Sequence, residues 1–229
     1  MAEKKKVETN SEIKPSPIEN SNFFERNKKV LLISGITIIV GIIGFWGWKY
    51  YKKNKETNAS ESSFASVRTF NGMANSGFNV DSINLVLKGG NLDGTKIPGL
   101  LDFIKNYGST KQGNLAKYMI GCCYIQQKNY DQAIKYLKEF DPLDNFQLKS
   151  RTLVMLGHAY AGKNQVSEAM KSYKEASEVN SKDETLTADA LYLLASYQEV
   201  NKNTKDAIAN YKKLRDEYPF YQAVGTKEI

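Results

Sequence analysis

Aligning the chain with itself limits its architecture more than any other feature. With Gly121, Gly157 and Ala195 in register, the residues around them fall into step. A large aliphatic residue precedes each (Ile120, Leu156, Leu194), and three residues later stand Tyr124, Tyr160 and a mismatch, Gln198. Twelve residues past each small residue comes an alanine (Ala133, Ala169, Ala207), and four further on Leu137, Tyr173 and Tyr211. The offsets are 36 and 38 residues. A unit of that length holds two helices, cannot bury its apolar face alone, and must stack on its neighbours. A side chain at Gly121 or Gly157 would hold the two helices apart. The alanines let the second helix nest against the first, and the large residues fill the space between units.

The pattern resembles the tetratricopeptide repeat, a unit of about 34 residues with a small residue in helix A and an alanine in helix B where the two cross. The turns here would absorb the extra residues. The early tryptophan of that pattern is absent, and only the last unit closes with proline, Pro219. Phe103, Ile104 and Tyr107, ahead of Gly108-Ser109-Thr110, read as the second helix of a degenerate first unit. Upstream, Phe64, Val67, Phe70 and Met73 recur at helical spacing and predict a helix over residues 60–75. A second helix is expected over 81–88 with Asp81 as its N-cap. Residues 88–99 carry Gly89, Gly90, Gly94, Gly99 and Pro98 and read as a connecting loop. It is not a phosphate loop, since no Gly-Lys-Ser/Thr run opens the next helix.

The other constraint is a run without charge, VLLISGITIIVGIIGFWGW, over residues 30–48. As a helix it would reach about 28 Å, close to the hydrocarbon thickness of a bilayer. Arg26, Lys28 and Lys29 flank one end. Trp46, Trp48, Tyr50 and Tyr51 form an aromatic belt at the other, beside Lys49, Lys52, Lys53 and Lys55. A cleaved signal peptide would need a shorter apolar core and small residues where the aromatics stand. A buried core helix would not be apolar all round. The two flanks carry nearly equal positive charge, so the positive-inside rule barely orients the helix. Ser34, Thr37, Gly41 and Gly44 follow one another at spacings of three, four and three, a small-residue seam where another membrane helix could approach.

The expectation is therefore an all-α chain: a single N-terminal transmembrane helix followed by a tetratricopeptide-type α-solenoid. Residues 1–29 read as a disordered polar tail, 30–50 as the membrane helix and 51–60 as a linker. Residues 61–113 read as N-terminal capping helices and a degenerate repeat. Residues 114–229 read as three helix pairs with a C-terminal cap, formed by a short helix over 220–229.

Composition offers little chemistry. The formal net charge of +7 is spread out, with residues 1–29 holding seven Lys/Arg against five Asp/Glu and residues 51–229 holding 24 against 20. That is a mixed-sign solvated surface and not the basic footprint of a nucleic-acid binder. The two cysteines, Cys122 and Cys123, are adjacent within an expected helix, where disulfide geometry is hard to reach, and read as small buried hydrophobes. One histidine, His158, leaves no basis for a triad or a zinc site. No enzyme activity, metal or cofactor is expected.

Ligands of the repeat family lie against fixed positions of helix A. The resemblance places these at Leu115, Tyr118, Cys122 and Ile125; at Arg151, Val154, His158 and Ala161; and at Asp189, Tyr192, Ser196 and Glu199. Such a groove suits an extended or helical peptide with an apolar anchor and some charge, unless the chain's own helix over 60–75 fills it. The order of parts over about residues 20–220 (FFERNKK, the uncharged helix, GFWGWKYYKK, a small repeat domain) is similar to the YfgM-like ancillary subunits of the bacterial SecYEG translocon. That resemblance implies a single-pass inner-membrane protein with a cytoplasmic N-terminus and periplasmic repeats. It also implies association with SecYEG and a PpiD-like membrane chaperone, and binding of partner proteins or emerging polypeptides. The alternative is a general cell-envelope scaffold for a secretion, motility or cell-wall complex.

Overall fold

The computed structural model describes residues 20–221 and divides the chain at Lys52/Lys53 into two compact units. In the first unit every described residue lies on α1, which spans Asn20–Ser76 in full. Residues 30–48 carry their large apolar side chains outward, with Ile36, Ile43 and Trp46 all exposed. This segment is a candidate membrane span by length and composition. The Ser34 hydroxyl donates to the Leu31 carbonyl at 2.9 Å and the Thr37 hydroxyl to the Ile33 carbonyl at 2.5 Å, so both are satisfied within the helix. A side chain at Gly41 or Gly44 would meet no atom within 4 Å. The Lys49 and Lys52 ammonium groups sit over the Trp46 and Trp48 rings, 5.6 and 5.4 Å from their centroids.

Residues 1–19 and 222–229 lie outside the described residues, and with them most of the expected tail and C-terminal cap. Two expected breaks in α1 are absent: residues 20–29 and 51–60 are helical. The stretch after the apolar run contains no glycine or proline before Gly72, and its lysines and glutamate favour helix. The helix stops only at Gly77, whose φ of 103° suits glycine and whose N–H donates to the Met73 carbonyl at 2.8 Å.

The second unit opens with a cap. In sequence order it contains the end of α1, α2 (Val80–Lys88), β1 (Gly89–Leu92), β2 (Thr95–Pro98) and α3 (Leu100–Tyr107). The N-cap of α2 is Asn79, not Asp81: its side chain accepts from the Ser82 N–H at 2.8 Å, and Asp81 lies in the first turn, where its charge complements the helix dipole. The expected loop over 88–99 is instead an antiparallel hairpin pairing Gly89 with Pro98 and Leu92 with Thr95. Its turn is Asp93-Gly94 with φ of 49° and 77°, the positive pair that a two-residue hairpin requires. Ala59, Phe70 and Met73 of α1 share a core with Val86, Leu87, Leu100 and Ile120. The Ser66 hydroxyl donates to the Pro98 carbonyl, and Glu56 accepts from the Lys111 N–H at 3.0 Å, placing a carboxylate at the start of the next helix.

Three helix pairs follow: α4 (Lys111–Gln126) with α5 (Tyr130–Glu139), α6 (Phe146–Gly162) with α7 (Val166–Glu178), and α8 (Glu184–Val200) with α9 (Thr204–Glu217). The small residues do what the sequence requires of them. A side chain at Gly121 would come within 2.6 Å of Leu137, and one at Gly157 would enter the ring of Tyr173. Ala133, Ala169 and Ala207 are buried at the same crossings. The repeat extends to the backbone. The turn inside each pair holds a residue at positive φ, Lys128 (58°), Asn164 (58°) and Lys202 (63°), at the same 36- and 38-residue offsets. Behind each, the N–H of the next residue returns to the helix, Asn129 to the Tyr124 carbonyl, Gln165 to Tyr160 and Asn203 to Gln198, each at 2.9 Å. Gln198, the mismatch in the sequence pattern, is buried and accepts from the Asn210 amide at 2.7 Å.

Candidate partner-binding groove

The first helices of the three pairs form one surface, with α6 packed between α4 and α8. Side chains from all three, joined by Tyr221, line a cavity of about 500 Å³. Its walls are mainly apolar and aromatic: Tyr118, Val154, Met155, Leu186, Tyr192 and Leu193. Arg151, Asp183 and Asp189 supply its charge. A second cavity of about 740 Å³, under the turn between α5 and α6, shares Gln147 and Asp183 with the first. The Asn114 side chain pins that turn, donating to the Asp141 carbonyl at 2.6 Å and accepting from its N–H at 3.0 Å.

The candidate residues separate into two groups. Tyr118, Arg151, Val154, Asp189 and Tyr192 come together in the first cavity, and Leu115 lines the second. Cys122, Ile125, His158, Ser196 and Glu199 line neither. His158 Nδ1 is 2.8 Å from the Tyr173 hydroxyl, and Ser196 Oγ is 3.0 Å from the Tyr211 hydroxyl, each within its own pair. The Tyr211 hydroxyl also donates to the Glu199 carboxylate at 2.8 Å. Helix-B tyrosines thus draw these side chains toward their own repeat. In the first pair the equivalent residue of helix B is Leu137, which carries no hydroxyl, and Cys122 is buried beside Tyr118.

Burial sets the protonation of these groups. It pushes the Cys122 and Cys123 thiols up to about 12, so both are protonated at neutral pH and poor nucleophiles. It lowers His158 below the ordinary histidine value, leaving a neutral ring at pH 7. Tyr118 is raised by burial and then by its neighbour Cys122. Tyr221 is raised by burial and then by its hydrogen bond to Asp189.

Several lining residues were not among the candidates. Gln147, Met155 and Leu193 lie one helical turn from Arg151 or Asp189, so widening the stripe by i±4 would have included them. Tyr221 follows the last helix and stacks near Tyr192, with ring centroids 6.0 Å apart. No spacing in the sequence points to it. The helix over 60–75 does not fill this cavity: none of the lining residues comes from α1.

Repeated helix pairs, a recurrent turn and a small-residue crossing are now in place. The tetratricopeptide-repeat family models match residues 154–221 and residues 116–141. The chain contains tetratricopeptide repeats. No curated protein matches the chain. Tetratricopeptide repeats support a role in binding other proteins, and the aromatic cavity lies across all three helix pairs of this array.

Proposed function

We propose that the chain is a non-enzymatic, membrane-anchored adaptor with a chaperone-like role, and that its tetratricopeptide repeats hold protein partners or emerging polypeptides in the groove across α4, α6 and α8. Its place is beside the SecYEG translocon and a PpiD-like membrane chaperone in the bacterial inner membrane, with the N-terminus cytoplasmic and the repeats periplasmic. The observation that carries the binding reading is the cavity itself, an apolar and aromatic slot of about 500 Å³ with a few charged groups at its wall. The uncharged helix over 30–48, with outward apolar side chains and lysines over its tryptophans, supports the anchor. Anchoring raises the local concentration of the repeats at the membrane, so weak contacts with a passing chain would suffice. The translocon assignment rests on the resemblance of the whole layout.

Photo-crosslinking from position 192 of the full chain in living cells tests both parts. Crosslinks to translocon subunits, PpiD-like chaperones or exported polypeptides are the expected result. Crosslinks confined to an unrelated envelope complex would favour the scaffold alternative and remove the translocon reading. An alkaline phosphatase fused after residue 229 should be active, and an inactive but stable fusion would place the repeats in the cytoplasm. Gly41→Leu with Gly44→Leu tests the seam of Ser34, Thr37, Gly41 and Gly44. It should reduce co-purification from mild detergent while helicity is retained, and unchanged co-purification would reject the seam.

A further inference from the structure

The charged groups of the groove are unequal in a way that defines its ligand. The cavity is lined by Arg151 and two carboxylates, Asp183 and Asp189. Asp183 is occupied as the N-cap of α8, accepting from the Leu186 N–H at 3.0 Å. Asp189 is occupied by the hydrogen bond from the Tyr221 hydroxyl. Arg151 makes no hydrogen bond or ion pair within 4.0 Å among the described residues. Its guanidinium therefore stands with its donors unspent beside an apolar slot walled by Tyr118, Val154, Tyr192 and Leu193. A planar guanidinium in that setting prefers a carboxylate, which it can hold with two parallel hydrogen bonds.

We propose that the groove selects polypeptide segments in which a carboxylate stands beside a large apolar or aromatic side chain, with Arg151 taking the carboxylate and the slot between Tyr118 and Tyr192 taking the side chain. The inference rests on the binding role proposed above and names the chemistry of the partner. A neutral segment would leave the guanidinium without a partner and give up the charge-assisted bonds. A segment with lysine at that position would be repelled. Tyr221 matters here because it ties up Asp189, which would otherwise offset the positive charge.

The test uses the full chain in detergent micelles against a library of random octapeptides with blocked termini. The selected binders should be enriched in Asp or Glu next to Phe, Tyr, Trp or Leu. Replacing that acid with its amide in the best binder, or making Arg151→Gln, should weaken binding tenfold to a hundredfold, roughly the worth of a charge-assisted hydrogen bond. Arg151→Glu should shift the enrichment to Lys and Arg, and circular dichroism should confirm that the variants fold. If the binders depend on Tyr192, as judged by Tyr192→Ala, but show no acidic preference, the carboxylate inference is overturned and the groove stands. If binding is unaffected by Tyr192→Ala, or no peptide binds, both readings are overturned.

Discussion

The same residue type meets opposite fates in the two units. Ile43, on the uncharged stretch of α1, is 65% exposed, whereas Ile120, on α4, is fully buried. In the repeats, each apolar side chain finds its complement within the chain, in a glycine of the facing helix or a neighbouring pair. Along residues 30–48 the complement is absent from the unit, so the apolar surface needs a non-aqueous surrounding. Burying one such side chain is worth about 1.5–3 kcal/mol, so a run this long exposed to water would oppose folding and solubility together. The difference teaches that hydrophobicity alone does not say where a helix sits. What separates the two cases is whether the sequence also supplies small residues and a period that let another helix approach.

Charge placed in each region should break the comparison first where there is no partner. Ile39→Lys together with Ile43→Lys should move the chain out of the alkaline-extracted membrane pellet. Each lysine near the centre of a spanning helix costs about 2.5–3.5 kcal/mol of insertion free energy. Retention of the double variant in the pellet would mean that residues 30–48 are not what holds the chain there. The corresponding change in the repeats is removal of apolar volume. Leu137→Ala, next to Gly121, should cost about 3 kcal/mol of unfolding free energy by cavity formation. Gly157→Ala, forced against the Tyr173 ring, should cost about 2 kcal/mol by overpacking. Gly41→Ala should cost nothing measurable, because its added methyl meets no atom in the unit. Urea titration of the full chain in detergent ranks the three, and a loss at Gly41 equal to that at Gly157 would erase the distinction.

A smaller effect comes from protonation. His158 is held neutral by burial against Tyr173, so its folded value lies below the ordinary 6.5 while the unfolded chain titrates near 6.5. As pH falls below 6.5 the unfolded state takes up the proton first. Stability should then decline with acid, with a slope no steeper than about 1.4 kcal/mol per pH unit. The decline ends once pH passes below the folded value. Thermal melts at pH 7.5 and 5.5 should show a drop that His158→Gln removes, since both proteins share every carboxylate. An identical drop in the two would show that the histidine is not responsible.

Much of this fold was legible because sterics wrote it into residue size. Gly121 answers Leu137 and Gly157 answers Tyr173, so the register of the repeats could be read without knowing any contact. The hairpin was missed although its signal was present. Asp93-Gly94 is a strong two-residue turn, but it lies within a glycine-rich stretch that reads as a loop when only composition is weighed. Asn79 and Asp81 are both good caps, and only the geometry decides between them. The groove was legible in part for a different reason. Helical spacing identifies the face of α4, α6 and α8 but not which side chains on it are claimed from behind, and His158 and Ser196 are claimed by Tyr173 and Tyr211. Tyr221 could not be anticipated, because its position depends on how the chain leaves α9.

The smallest expected effect tests whether the three repeats are equivalent in backbone as well as in sequence. Lys128, Asn164 and Lys202 occupy the same left-handed position of the same turn, at φ of 58°, 58° and 63°. A side chain with a Cβ is strained there by roughly 1 kcal/mol, whereas asparagine tolerates the conformation better than lysine. Glycine relieves the strain but gives up some of the gain through its greater freedom in the unfolded chain. Lys128→Gly and Lys202→Gly should therefore each raise stability by about 0.5 kcal/mol, and Asn164→Gly by less. Equal gains at all three would mean that asparagine offers no local relief. A loss at either lysine would mean that its side chain does more in the folded turn than the backbone geometry requires.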